Sequence, residues 1–518
     1  MSASTEESTV AALVAAFTGA TSDRVDAEFH RLVDALWSDG KLTDLALPAA
    51  SALVTLLDGE LGAEHRGRVV ILLGLLVEGE HPAAADVFAA VRAGLDRYLE
   101  LLAGSTPGEP ESLALLYLVQ HFPDDRDRIL AATEGLGLNV HDRTRLDRAL
   151  AQLDPDKPDL GRVWPSPAIW EADEEELEYA QAWIKNLTPA QVRNNWDNDT
   201  LTVLGFSGAL AYWGVRHGTP APTAEVEVPP VDSIRTAESG PADEVFGRHA
   251  SVLRCPSCHS ALEIGADVVR CTSCVTRYPI ANGILDLSAG VREGQEADDA
   301  TNDLLQKLAE MPRLGLYYEA VLRPNYLKIA GSNWGDQVSH ADEDAYIESH
   351  LRGVDGPVLD LAAGAGRWTE VVARTVGADR LIALDMAVPM LNVLRGRLPE
   401  VPAVMATALN LPFHDGSLGA INCWNALQAF PDDAAEAVAE MGRVLRPGGR
   451  LTMMTFRWEH DPIARYFQAC QYFPSRPEGH LLFELEELRS WFDSAGLDIV
   501  DLSEVDAGSF VFLTAERR

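Results

Sequence analysis

Basic residues are scarce in this chain. Lys and Arg total 42 against 79 Asp and Glu, a formal charge of −37 over 518 residues. Proteins that grip nucleic acid displace counterions from phosphates with Lys and Arg, and no cluster of those residues stands out here. The imbalance argues against a nucleic-acid partner. It fits plain solubility, or a neutral or cationic partner such as an amine-bearing peptide or metabolite. Long apolar runs are lacking too: none reaches eighteen residues, so no membrane span is expected. The opening residues, Met1 to Ser8, lack the positive segment of a signal peptide, and a cytoplasmic location is the expectation. With 47% hydrophobic residues the chain can bury real cores, and its length suggests roughly two to four domains.

Cysteine is also sparse, six in all, yet four of them form one pattern. Cys255 and Cys258 make a Cys-x-x-Cys pair, and Cys271 and Cys274 make a second one twelve residues on. Two such knuckles place four thiolates at tetrahedral corners, which suits zinc, with iron as a substitute. Disulfides are the competing reading and need an oxidising compartment. A closed four-thiolate site leaves no open coordination position, so the zinc expected here is structural. The remaining Cys423 and Cys470 read as buried apolar cysteines.

The richest stretch is Val358 to Gly366, an apolar run ending in the small-residue turn Ala362-Ala-Gly-Ala-Gly366 before helix-type sequence. A second apolar run ends in Asp385, 19 residues after Gly366. Small residues let a ligand lie against the backbone, and the later carboxylate can accept both hydroxyls of a ribose. A nucleoside cofactor follows. Thr407 to Gly416 reads as a loop reaching its base, and Gly419 to Asp432 as a fourth strand running into a loop. Glu440 to Thr455 reads as a helix, a Pro-Gly-Gly turn and a fifth strand.

This order resembles the class I S-adenosylmethionine (SAM) methyltransferases, in the branch of the ubiquinone and menaquinone methyltransferases. The Leu-Arg-Pro-Gly-Gly element distinguishes it from nicotinamide dehydrogenases. The resemblance covers residues 300–518. It implies an α/β Rossmann-like seven-stranded domain with Asp360, Ala362, Gly364 and Gly366 at the methionine and ribose end of SAM. Asp385 would bind the ribose hydroxyls, Met386 would pack on the adenine, and Ala408 and Leu409 would flank it. Asn425 would sit near the transferable methyl, with Trp424 and Gln428 as neighbours able to touch substrate. Tyr317 and Tyr318, in the segment leading into the domain, are candidates for stacking on the cofactor or gating substrate. Three positions depart from the family pattern: Ala362 for a glycine, and Thr407 and Gly419 for acids. His340 and His414 are weaker candidates for a base.

The cysteine segment, with its continuation through Asp286, resembles the small zinc ribbons that activate tRNA and protein methyltransferases. It also resembles the ribbon of ribosomal RNA guanine methyltransferases. Residues 1–217 show helical periodicity with little strand-like alternation, an all-α region resembling degenerate HEAT repeats. Such a surface can hold an extended partner; the alternative is a bundle that only buttresses the enzyme. Trp164, Trp170, Trp183, Trp196 and Trp213 gather at its end and suggest an inter-domain seam. The expected order is a helical domain at 1–217, a Pro-rich linker at 218–247, a zinc ribbon at 248–290 and the methyltransferase domain at 300–518.

SAM is already a strong electrophile, so the protein's task is alignment of a nucleophile. Asn425 and Gln428 can orient a group but cannot take a proton at neutral pH, which favours a nitrogen acceptor. The expected reaction is N-methylation of an amine on a small molecule or peptide, as in a daptide-like ribosomal peptide pathway. The alternatives are an RNA base methyltransferase and a SAM-binding scaffold without turnover.

Overall fold

The structure, a computed structural model, describes residues 3–158, 160, 182, 184–185, 187–221, 242–266, 268–288, 334–335, 338–429, 431–470, 482–505 and 510–518. Tyr317 and Tyr318 lie outside them, as do Trp164, Trp170, Trp183 and most of the expected linker. The chain forms two compact units. One comprises Met1–Thr223, Lys328–Gly335 and Glu459–His480; the other comprises Ala224–Leu327, Asp336–Trp458 and Leu481–Arg518.

The first unit is helical. Its longest helix, Pro189–His217, starts at a capping box in which the Thr188 and Gln191 side chains each accept the other's backbone N–H. It ends at Gly218 in a left-handed conformation (φ 68°). The helices Ala63–Glu78 and Pro110–Val119 run through the core, buried on nearly every face. They approach closely at Gly74, where a Cβ would collide with the Tyr117 ring. The unit is not purely helical as the periodicity suggests. Strands β1 (Trp37–Ser38) and β2 (Lys41–Leu42) form a short antiparallel hairpin. Its turn, Asp39 (φ 47°) and Gly40 (φ 74°), has the left-handed pair that Asp-Gly supplies. Trp196 and Trp213 pack inside this unit: the Arg148 guanidinium lies 3.6 Å over the Trp196 ring, and Trp213 stacks on His217 at 4.2 Å.

Among the described residues, the second unit is built on one sheet flanked by helices. In chain order its strands are β3 (Leu262–Ile264), β4 (Val268–Cys271), β5 (Arg277–Ala281), β6 (Ile284–Asp286), β7 (Val358–Leu361), β8 (Leu381–Asp385), β9 (Ala403–Met405), β10 (Leu418–Trp424), β11 (Leu445–Phe456), β12 (Leu497–Val505) and β13 (Phe510–Arg517). Their spatial order is β12-β13-β11-β10-β7-β8-β9-β6-β5-β4-β3. The five strands from β11 to β9 pair in parallel, and β10 is buried throughout, as helix-covered strands are. From β7 the order runs outward in both directions, to β8 and β9 on one side and to β10 and β11 on the other. The crevice for a ligand in such a sheet opens at that reversal, beyond the carboxyl ends of the strands. The last two strands pair antiparallel, the expected hairpin.

The cysteine segment joins this sheet directly. Strand β6 pairs in parallel with β9, Leu285 beside Val404, so one hydrogen-bonded ladder runs from ribbon to Rossmann-like sheet. Residues of both, including Leu253, Tyr278, Leu361 and Phe413, share one core.

Gly419 explains one departure from the family pattern. A Cβ there would collide with the backbone carbonyl of Asp355. Gly419→Asp, which installs the usual family residue, is expected to lower stability by at least about 3 kcal/mol, read as a fall in the denaturation midpoint.

Candidate functional site

The turn after β7 is built in left-handed backbone: Ala362 at φ 56°, Gly364 at 54° and Gly366 at 92°. Gly366 opens the helix Arg367–Val376 and packs against Leu394. A Cβ on Gly364 would meet nothing within 4 Å, so space lies open above the turn. The end of β8 closes the turn from beside it. Asp385 accepts the N–H of Gly364 at 2.8 Å through one oxygen and that of Ala387 at 2.8 Å through the other. Burial raises its pKa, and the backbone N–H groups of Ala387, Gly364 and Met386 oppose the rise. Next to it Met386 is 55% exposed. A large apolar side chain left open beside a partly exposed acid suits the face of a base.

Asp360 differs from expectation. Instead of lining the open space it is buried, accepting Asn422 Nδ2 at 2.7 Å and Thr369 Oγ1 at 2.5 Å. Burial pushes its pKa up to about 6, against these two donors. It ties β7 to β10 and to the helix after the turn. Neither Asn422 nor Thr369 stands out in the sequence, because each looks like an ordinary strand or helix residue.

At the carboxyl end of β10, Asn425 is also left-handed (φ 58°) and donates its N–H to Met454 O at 2.9 Å. Its Oδ1 accepts Gln428 Nε2 at 2.7 Å, and Gln428 Oε1 accepts the Thr455 hydroxyl at 3.1 Å. Gln428, expected as a substrate neighbour, is thus buried with both ends of its amide engaged in holding Asn425. Trp424 is buried, and its indole N–H donates to Glu343 Oε1 at 3.1 Å. Glu343 sits on the helix His340–Leu351 and is fully buried. No local pattern announces that acid at the end of β10. His340 is the exposed first residue of the same helix. His414 donates its backbone N–H to Val252 O. Cys423 is buried, its thiol pushed up to about 12 by burial.

Ala408 and Leu409 lie partly buried against the core, with the Leu409 N–H on Thr407 Oγ1 at 3.2 Å. The loop they begin is held from two sides. Arg443 donates to the carbonyls of Leu411 and Phe413, and its partner Glu440 accepts the Leu411 N–H. From the ribbon, Arg254 N–H reaches Pro412 O at 2.9 Å, and Asn410 Nδ2 donates to Pro256 O at 3.0 Å. Pro256 lies inside the first cysteine knuckle.

The four sulfurs of Cys255, Cys258, Cys271 and Cys274 lie within 4.8 Å of one another. The pairs Cys258–Cys271 and Cys255–Cys274 are 3.3 and 3.7 Å apart. Four thiolates at about 2.3 Å from one ion stand about 3.8 Å apart, so the cluster has the dimensions of a tetrahedral centre. The N–H groups of Ser273 and Cys274 point at Cys271 Sγ. The Cys258 thiol is drawn below its ordinary value, chiefly by the Ser260 backbone N–H.

Residues 358–449 match the family of methyltransferase domains. An uncharacterized chloroplastic methyltransferase of Arabidopsis thaliana is 27% identical over 51% of this chain and 79% of its own. An uncharacterized methyltransferase of Mycobacterium tuberculosis is 40% identical over 19% of this chain and 38% of its own. A demethylmenaquinone methyltransferase of a Mycobacterium species is 35% identical over 27% of this chain and 63% of its own. The chain therefore spans well under two thirds of the first of these mycobacterial proteins and just under two thirds of the second. The C-terminal part of the chain is a class I SAM-dependent methyltransferase domain, and the chain is a methyltransferase.

Ala362 carries the strain of a methyl in the left-handed region. Ala362→Gly, which restores the family residue, is expected to stabilise the protein by about 1 kcal/mol, the relief exceeding the entropy that glycine adds to the unfolded chain. Equilibrium urea unfolding measures it.

Proposed function

We propose that this methyltransferase N-methylates an amine of a peptide or small molecule, with a structural zinc bound by Cys255, Cys258, Cys271 and Cys274. SAM supplies an electrophilic methyl; the chain's own residues hold and align. In this reading Asp385 accepts the ribose hydroxyls, retaining lone pairs beyond those given to Gly364 and Ala387. Met386 covers one face of the adenine, and Ala408 and Leu409 flank the other. The turn Ala362–Gly366 faces the methionine end, where Asp360 acts from below through Thr369 and Asn422. Asn425 lies nearest the transferred methyl, its side chain fixed by Gln428.

The observation that carries the choice of nitrogen is the chemistry at the end of β10. Asn425 and Gln428 are amides and cannot accept a proton at neutral pH, while the Glu343 carboxylate is occupied with the Trp424 indole. An amine that sheds its proton to water needs alignment and no base. The charge of −37 supports a neutral or cationic acceptor and opposes RNA.

The purified protein is incubated with radiolabelled SAM and host extract, and the extract is then split into RNA and low-mass fractions. Label is expected in the low-mass fraction, on nitrogen. Label in RNA, or only on oxygen or carbon, overturns the assignment. Asp385→Asn is expected to weaken SAM binding at least about tenfold by calorimetry. Asn425→Ala should leave SAM affinity within about threefold while methyl transfer falls about a hundredfold.

Elemental analysis is expected to find one zinc per chain. Cys271→Ser should abolish it and lower thermal stability, since the metal would hold the two knuckles together. A chain free of metal that melts like the wild type would remove the zinc centre.

A further inference from the structure

Strand β11 ends at Phe456, and from Glu459 the chain belongs to the helical unit. There Asp461 caps the helix Pro462–Ala469, its Oδ1 accepting the N–H groups of Ile463 and Ala464 at 3.0 and 2.9 Å. Its second oxygen faces three donors of the helical unit: His30 Nε2 at 2.8 Å, Tyr212 OH at 2.9 Å and Arg216 Nη1 at 3.2 Å. The other ring nitrogen of His30 lies 2.8 Å from Asp26 O. The Tyr212 hydroxyl also lies 3.2 Å from Nε2, but the Asp461 carboxylate and the Asp26 carbonyl are both acceptors, and only the imidazolium offers each of them a donor. Around it, Arg216 also reaches the Asp26 carboxylate at 3.6 Å, and Arg68 reaches it at 3.2 Å. Glu459 adds negative potential near Arg216. Ile463, Phe467 and Gln468 are fully buried, and a Cβ on Gly208 would collide with the Phe467 ring.

We propose that His30 and Asp461 form a proton-dependent latch by which the helical unit holds the segment emerging from β11. With His30 protonated, residues 459–470 stay folded on the helical unit; without that proton the segment opens more often. The latch bears on the site through the chain itself. Thr455, six residues before Asp461, is the residue that holds Gln428 and through it Asn425. The helical unit thus anchors a stretch of the methyltransferase chain.

The direction with pH follows from the two partners. Hydrogen bonding to Asp461 raises the His30 pKa above its ordinary 6.5. Its contribution is complete below that value and lost as pH rises through the raised one. Asp461 is lowered to about 2, burial being outweighed by its bond to His30, the Ala464 N–H and Arg216. Its contribution is present above the ordinary carboxylate value of 3.8 and fails only as pH falls toward 2. The latch is closed in mildly acidic solution and weakens on the alkaline side.

Hydrogen exchange of the full-length protein at about pH 6 and pH 8.5, corrected for intrinsic exchange, reads the opening of residues 462–469. The opening equilibrium is expected to rise about tenfold between the two, the scale of one charge-assisted bond. In His30→Gln it should change less than about twofold. Asp461→Asn keeps an acceptor for the helix cap but not the charge, and should be open at both pH values. A wild-type segment with unchanged protection, or an equal rise in His30→Gln, overturns the latch. Unchanged protection in the wild type overturns the latch even where a variant fails to fold.

Discussion

The bond from the Gly364 N–H to Asp385 constrains much of the sheet's active end. It joins the turn after β7 to the end of β8 across 21 residues of chain, and it requires left-handed backbone at Ala362, Gly364 and Gly366. The helix after the turn starts where it does because Gly366 can take that conformation. Asp360 anchors the same turn from beneath through Thr369, and reaches β10 through Asn422. Two carboxylates, Asp360 fully buried and Asp385 partly exposed, thus fix the relative positions of β7, β8 and β10. Each is desolvated, and each is stabilised by donors aimed at its oxygens.

The second constraint is the continuity of ribbon and sheet. A ribbon tethered by a linker could swing to meet a partner. This one cannot do so without breaking the β6–β9 ladder and the bonds from Arg254 and Asn410. The loop it grips, 407–416, also takes Arg443 and Glu440 from the other side. A metal centre holding the first knuckle would therefore stiffen the loop 407–416. This gives the ribbon a structural role independent of nucleic acid, consistent with the scarcity of Lys and Arg.

Much of the methyltransferase domain was legible in the sequence because its signals are local. Apolar runs bounded by small-residue turns marked β7 and β8, Pro-Gly-Gly marked the start of β11, and the cysteine spacing marked a cluster that the fold brings together. What escaped notice is long-range. Glu343 meets Trp424 across 81 residues, and Asn422 meets Asp360 across 62; neither pairing leaves a periodic trace. The hairpin at Trp37–Leu42 carried its signal in Asp39-Gly40, but the surrounding helical period masked it. Gln428 was expected to touch substrate because it neighbours Asn425. Its burial depends on Thr455, which no reading of the β10 loop alone would supply.

The helical region poses a different problem. Its periodicity is visible, but the sequence suggests that it closes at residue 217. The structure instead counts Glu459–His480 within the same compact unit. Phe467 is a core residue there, packed edge-on to Tyr117 at 5.6 Å. A core that needs a segment from beyond β11 cannot be completed until most of the chain exists. The unit is therefore completed by a segment that follows β11 in the chain. Its helices pack against Ile463 and Phe467, and two residues, Arg457 and Trp458, separate β11 from Glu459.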